Sequence, residues 1–141
     1  MMGRAARNKT ELNENFNTVF NKTVGGLLKS SSGVATYSNT ATAANYPRIV
    51  FFFTTWAEDN LKKGTLTVRI AGNTGAAEVE RIVQKILYDL DGAVYNDEFI
   101  YLHLYGGQSS PVEDTDKTIT RRLVTLDFQA CLLYTSPSPR D

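Results

Sequence analysis

Two adjoining segments carry the clearest hydrophobic pattern in the chain, and the period changes between them. From Gly64 to Ala71 apolar and polar residues alternate, which is typical of a strand with one face on a core. From Ala76 to Leu90 apolar residues recur at steps of three and four, which predicts an amphipathic helix. Gly92 follows and suits the left-handed conformation that commonly ends a helix. The two segments predict a strand that leads directly into a helix.

A second helical pattern precedes a long polar stretch. Apolar residues keep helical spacing from Thr10 to Lys29, which predicts an N-terminal helix. The stretch from Ser30 to Pro47 consists almost entirely of Ser, Thr, Ala, Asn and Gly and predicts a long loop. Two interpretations of this loop stay open. It is either a flexible connector or an arm that orders against a neighbouring subunit, with Tyr37 and Tyr46 as anchors.

Three further segments predict strands, namely Arg48–Trp56, Phe99–Tyr105 and Ile119–Gln129. The first of them lacks alternation, so we expect both of its faces to be buried. In the second, Tyr101, His103 and Tyr105 form a row opposite the apolar row, and an aromatic outer row indicates a second covered surface, such as a partner. Residues 106–117 predict an acidic, turn-rich loop.

The order of these elements predicts an α+β fold. We expect a largely antiparallel four-stranded sheet with the N-terminal helix and the central helix packed on one face. The length suits a single domain, residues 1–130. Residues 131–141 resemble the in-frame translation of a sequencing adapter and are expected to be a non-native tail, with the natural gene continuing past Ala130. Cys131, the only cysteine, lies in that tail, so neither a disulfide nor a Cys-bound metal is expected.

Charge and hydropathy narrow the possible functions. The chain has 15 basic and 15 acidic side chains, and this balance argues against sequence-specific DNA binding. The basic N-terminus has no apolar run behind it, and no segment reaches the roughly 18 apolar residues of a membrane span. We therefore expect a soluble protein that is intracellular when it is made and has no membrane partner.

The residue types that carry chemistry do not form a convincing site. His103 is the only histidine, and on a strand between tyrosines it is interpreted as an interface residue rather than a base. The acidic residues at 113–116 lack the glycine and the distal glutamate of a calcium loop. The turn from Gly72 to Gly75 opens a helix, but it has neither the P-loop lysine nor the three-glycine dinucleotide motif. We expect no catalytic residue, no cofactor, no metal and no enzymatic activity.

Three motifs in a fixed order give the chain a family resemblance. A loop closes in a proline and an apolar strand follows it, from Tyr46 to Phe51. A strand then leads into a helix that ends in Leu90-Asp91-Gly92. The last strand opens with Arg121-Arg122 and runs on to Asp127-Phe128. In this order, the motifs resemble the tail terminator (tail completion) proteins of long-tailed bacteriophages.

This resemblance implies a structural protein that forms a ring, commonly a hexamer, at the head–tail junction. The ring would cap the tail tube, end its growth and present a surface to the head–tail connector protein. DNA would only pass through its lumen. The protein would lie in the host cytoplasm during assembly and afterwards in the virion tail.

The expected contacts are the Phe51–Phe53 region, the aromatic row and the two loops, 30–47 and 106–117. The individual interface residues are expected to be Tyr37, Tyr46, Phe52, Tyr101, His103 and Tyr105. Two alternatives stay open. One is a head-completion or minor capsid protein of the phage neck, and the other is a small intracellular ligand-binding domain.

Overall fold

The computed structural model describes residues 9–42, 45–58, 61–113 and 116–133, with side chains from residue 15 onward. Two helices lie against one face of a six-stranded sheet. In chain order the elements are α1 (Lys9–Ser32), β1 (Ala35–Ser38), β2 (Arg48–Glu58), β3 (Lys62–Gly72), α2 (Ala76–Leu90), β4 (Val94–Asn96), β5 (Ile100–Val112) and β6 (Thr120–Leu132).

The sheet corrects the predicted fold. Its strand order is β1-β2-β3-β6-β5-β4, with β1 parallel to β2 and every other neighbouring pair antiparallel. The predicted four-stranded, largely antiparallel sheet is therefore wrong, because the sheet is six-stranded and mixed. The mixed α+β character of the prediction holds.

The two strands that were not predicted lie at the two edges of the sheet. β1 occupies four residues of the segment predicted as a loop, and it pairs with β2 only through residues 48–51. β4 has three residues and pairs with β5. An edge strand has a ladder on one side only and can be short and polar. Neither strand therefore shows the hydrophobic alternation by which a strand is recognised in a sequence.

β5 is longer than predicted. This strand continues to Val112 through residues that were predicted as a loop. Its register with β6 shifts between Tyr105 and Gln108, where Gly106 takes a φ of 66°. Such a bulge interrupts the alternation of a strand, and glycine permits the backbone conformation that it needs. Of the described residues between Val112 and Thr120, none belongs to a strand.

β6 also continues beyond its predicted end, to Leu132. Cys131 pairs with Tyr101 and Leu132 pairs with Ile100, so the ladder includes the first residues of the predicted tail. Residues 134–141 lie outside the described residues. The foreign origin of residues 131–141 stays a prediction.

Both predicted helices are present, and both pack on the same face of the sheet. In α1, Phe16 and Phe20 contact Phe53 of β2, with ring centroids 5.8 and 4.3 Å apart. α2 buries the residues predicted from its period, which are Val79, Ile82, Val83, Ile86 and Leu90. Gly92 follows with a φ of 85°, as predicted for the end of this helix. The helices thus cover one face of the sheet and leave the other uncovered.

Candidate assembly surface

The alternation of side chains along β6 separates the two faces of the sheet. Val124, Leu126 and Phe128 are fully buried beneath the helices, whereas Thr125 and Asp127 between them are partly exposed. Side chains that pair with Thr125 or Asp127 across the ladders lie on the same side as these two residues. We call this uncovered side the outer face.

The outer face holds the predicted interface residues in two groups. Tyr37 and Phe52 lie on β1 and β2, and Tyr46 lies two residues before β2. The second group is the predicted row on β5, formed by Tyr101, His103 and Tyr105. All six side chains are partly exposed. The structure therefore brings them to one face, but β3 and β6 separate the two groups.

β2 is buried on one face only, contrary to the prediction. Phe51 is nearly inaccessible on the inner face, where Gly25 of α1 approaches its ring. Phe52 points to the outer face, pairs with Thr67 and is partly exposed. The lack of alternation in this strand thus reflects two apolar side chains, Val50 and Phe52, on an uncovered surface.

Trp56 was not among the predicted interface residues, although it is the only tryptophan. It lies at a register irregularity between Thr55 and Ala57, and 57% of its surface is exposed. Its Nε1 atom donates a hydrogen bond to Oγ1 of Thr65 (3.2 Å), and that hydroxyl donates to Oδ1 of Asp127 (3.2 Å). This polar row crosses the outer face between the two aromatic groups. Tryptophan is enriched at protein interfaces because it combines a large apolar surface with one donor.

His103 lies within the aromatic row. Its ring centroid is 5.1 Å from that of Tyr105, and its cross-strand neighbours are Val94 and Gln129. Val94 is itself 61% exposed. The immediate neighbours of the imidazole on this face are therefore an aromatic, an aliphatic and an amide side chain, a composition that suits contact with another protein surface.

Two arginines on the outer face are also absent from the predicted site. The guanidinium carbon of Arg48 lies 4.4 Å from the ring centroid of Tyr46, and that of Arg69 lies 5.2 Å from the ring centroid of Phe52. These are cation–π distances, and the rings hold each guanidinium in place. The register of β2 against β3 brings Arg69 to Phe52, whereas Arg48 meets Tyr46, two residues before it in the chain.

A groove of about 580 Å³ opens on the helix side, between the start of α2 and the connection from β5 to β6. Arg122 lines it and forms an ion pair with Glu80 of α2, and its Nη2 atom donates to Oγ of Ser109 (2.8 Å). A hydrogen bond from Gln84 and, less strongly, the charge of Arg122 lower the pKa of Glu80. Arg122 thus fastens α2 to the long hairpin of β5 and β6.

A second groove, of about 470 Å³, lies between α1 and the turn from β4 to β5. Asp97 organises this turn, because its Oδ1 atom accepts hydrogen bonds from the backbone N–H groups of Phe99 (2.7 Å) and Ile100 (2.9 Å). These two bonds are the main cause that lowers the pKa of Asp97. Tyr95 donates to its other oxygen (3.0 Å), and this bond raises the pKa of the tyrosine.

We expect Asp97→Asn to reduce the acid sensitivity of the fold. A carboxylate with a lowered folded-state pKa stabilises the protein fully above its ordinary value of 3.8, and this contribution is lost as the pH falls through the lowered value. Asparagine keeps an oxygen acceptor for the turn but has no charge to protonate. Melting temperatures between pH 7 and pH 2.5 should therefore fall less steeply in the variant. Glu98→Gln removes the same charge from the next residue and is the matched control, and equal slopes in Asp97→Asn and wild type would contradict this role of Asp97.

Neither a metal site nor a membrane-spanning helix is found in the part of the chain that the structure describes. No group of three or more His, Cys, Asp and Glu side chains there is arranged to hold a metal ion. None of the described helices combines the length and the apolar character that crossing a membrane requires.

Comparison with known proteins supports the fold. No protein family model matches the chain, and no curated protein matches its sequence. One solved structure, which bears no functional name, aligns with a TM-score of 0.64 at 8% identity and covers 91% of this chain and 98% of its own. The likeness is one of fold alone. A chain of the virion of a native gene transfer agent particle aligns with a TM-score of 0.42 at 13% identity, covering 75% of this chain and 84% of its own, and a score this low supports no argument.

Proposed function

We propose that this chain is a structural protein of a phage-like particle, which assembles through the outer face of its sheet into a ring that caps the tail tube. The main support for this proposal is the uncovered sheet face, with its two aromatic groups and Trp56. The order of motifs in the sequence, which resembles that of tail terminator proteins, supplies the particular role. The proposal requires no bond to be made or broken.

The composition of the outer face favours a protein partner. Monomeric proteins rarely expose a large contiguous apolar surface, and aromatic residues and arginine are enriched where proteins meet. Here both aromatic groups are partly exposed, and both arginines lie over rings of the first group. Burial of these side chains by a second protein would provide the favourable free energy of assembly.

A ring follows if the contact joins two different surfaces of the same chain. Such a heterologous contact closes when the rotation between copies divides a full turn evenly. The proposed ring, commonly a hexamer in the family that the sequence resembles, would lie on the last tail-tube subunits and offer its far side to the head–tail connector. A chain without net charge would let DNA pass through the lumen without strong phosphate contacts.

The proposal is tested by measuring assembly of the full chain, alone and with a tail-tube protein. Sedimentation velocity and negative-stain microscopy should show a ring, and adding the chain to growing tubes should shorten them. A protein that stays monomeric under both conditions would contradict the proposal. A melting temperature raised by a small molecule would instead favour a ligand-binding domain.

Tyr101→Glu combined with Tyr105→Glu should abolish the ring. Aromatic residues at the centre of an interface contribute at least about 2 kcal/mol each, so the double change should weaken association by a factor of about a thousand. Tyr88→Glu is the control, because Tyr88 is 85% exposed on α2, on the opposite side of the molecule. Sedimentation of all three proteins at equal concentration gives the comparison, and rings formed equally well by the double variant would exclude this row from the interface.

A further inference from the structure

The two edges of the sheet leave room for further strands. β1 pairs with β2 only as far as Phe51, whereas β2 continues well beyond that residue. In the described part of the chain, no strand pairs with residues 52–57 of β2 on the side away from β3. At the other edge, β4 pairs with β5, and no described strand lies on its far side. Such edges are templates for pairing with another chain. We call residues 52–57 the open edge of β2.

Each of these edges carries an exposed apolar side chain on the outer face. Trp56 lies on the open edge of β2 and Val94 lies on β4, and both are more than half exposed. Trp56 reaches the outer face, where it bonds to Thr65, and Val94 lies beside His103 there. A contact between the two edges would therefore bury apolar surface on both sides of it.

Trp56 and Val94 also lie at the same level of the sheet. The residue after Trp56 begins a cross-strand row that ends at Val94 on the far edge. The row consists of Ala57, Lys63, Gln129, His103 and Val94. Copies in a closed ring are related by rotation, without a shift along the ring axis. Surfaces at one level therefore meet between copies when the strands run along that axis.

The two edges cannot meet within one molecule. Four strand spacings separate β2 from β4, which amounts to about 19 Å. Each step between them is antiparallel, and four such steps leave β4 running in the same direction as β2. In a neighbouring copy, β4 would thus lie parallel to β2, as β1 already does over residues 48–51.

We infer that β4 of one copy lies against the open edge of β2 of the next copy, so that the sheet continues around the ring. This inference rests on the proposed ring and names the contact that closes it. Within one copy, β3 and β6 separate the two aromatic groups of the outer face. Across this junction, the row on β5 comes beside Phe52 and Trp56 of the neighbour. The contact therefore joins the two groups into one aromatic surface.

Charges near the two edges favour a second copy as the occupant. Lys63 lies one strand from the open edge, where its neighbour on β2 is the small Ala57. Glu98 is exposed in the turn after β4, at the same end of the sheet. None of the ion pairs found among the described residues includes Lys63 or Glu98. A copy of this chain thus offers the neighbour both an apolar side chain and a charge of the opposite sign, which fixes the order head to tail.

Disulfide trapping on the full chain tests the contact. In a Cys131→Ser background, Ala57→Cys with Val94→Cys introduces two thiols that lie too far apart to join within one chain, since a disulfide needs Cα atoms within about 7 Å. Oxidation should give a ladder of covalent oligomers on a non-reducing gel, ending at the size of the ring. Ala57→Cys with Tyr88→Cys is the matched control, because Tyr88 is exposed on α2, and it should form no ladder.

Charge reversal tests the same contact without cysteines. Lys63→Glu and Glu98→Lys should each weaken association about tenfold, since like charges then face each other across the junction. A chain with both changes should recover, because each copy again presents opposite charges to its neighbours. Lys29→Glu, on the exposed surface of α1, makes the same change of charge as Lys63→Glu and should assemble as wild type does.

The outcomes separate this inference from the proposed function. If wild type forms rings but the cysteine pair gives no ladder and the charge reversals have no effect, the contact is wrong and the ring stands. A ladder that ends at a dimer would also overturn the contact, since a ring needs a head-to-tail junction. If wild type forms no ring, with or without tail-tube protein, both are wrong. If Trp56→Ser leaves the ring intact but weakens binding of tail-tube protein, the open edge belongs to that protein and the inference is overturned.

Discussion

Phe20→Ala is expected to lower the free energy of unfolding by about 3–5 kcal/mol, the range for removing a fully buried aromatic ring. The Phe20 side chain is completely inaccessible. Its ring centroid lies 4.3 Å from that of Phe53 and 4.6 Å from that of Phe128. The substitution therefore opens a cavity where α1 meets β2 and β6. Urea unfolding followed by circular dichroism would give the difference from the midpoint and slope.

Tyr88→Ala is the matched control for this prediction. It also removes a ring from a helix, but the ring is 85% exposed, so its loss should change stability by less than about 0.5 kcal/mol. Equal losses in the two variants would mean that α1 is not anchored by this aromatic cluster. The cluster matters for assembly because it holds α1 on the inner face and leaves the outer face to a partner.

The helices and the central strands could be predicted because their signals are local. All five residues that α2 buries belong to the apolar pattern that predicted this helix from the sequence. The same holds for β3, where the buried Leu66, Val68 and Ile70 alternate with the more exposed Thr65, Thr67 and Arg69. A face buried against a core fixes the residue type at each step, and this leaves a period in the sequence.

The edges of the sheet could not be predicted, because nothing local marks them. β1 has the sequence Ala-Thr-Tyr-Ser, and its pairing with β2 depends on a segment that begins ten residues after it ends. The end of β5 contains two glycines and Pro111, a composition that predicts a turn. It is nevertheless a strand, because β6 supplies a ladder for it beyond the bulge.

The candidate surface was predicted in part. Alternation on β5 identified Tyr101, His103 and Tyr105, since an aromatic row opposite an apolar row is visible in the sequence. Trp56 and the two arginines were missed for a different reason. Trp56 and Arg69 meet side chains of a neighbouring strand, and the register that makes Arg69 a neighbour of Phe52 exists only in the folded sheet. Arg48 was missed although the ring that it meets, that of Tyr46, lies only two residues before it.

Substitution by alanine at Gly64 and at Gly26 tests the packing of the two layers, because the expected changes in stability are opposite in sign. A Cβ atom at Gly64 would lie 2.0 Å from the carbonyl oxygen of Thr54 and 2.8 Å from the ring of Phe128. A Cβ atom at Gly26, within α1, would have no atom within 4 Å of it. Gly64 therefore has no space for a methyl group, whereas Gly26, in a helix, has space for one.

Gly64→Ala should therefore destabilise the protein by about 3 kcal/mol or more, the upper end of the range for overpacking, because β2 and β3 are joined by their ladder and cannot separate. Gly26→Ala should stabilise it by up to about 1 kcal/mol, since alanine favours a helix interior over glycine. Thermal and urea unfolding of both variants would measure the two effects. A Gly64→Ala protein as stable as wild type would mean that Gly64 does not lie tightly against Thr54 and Phe128. The layer that positions the outer face for assembly would then be packed differently.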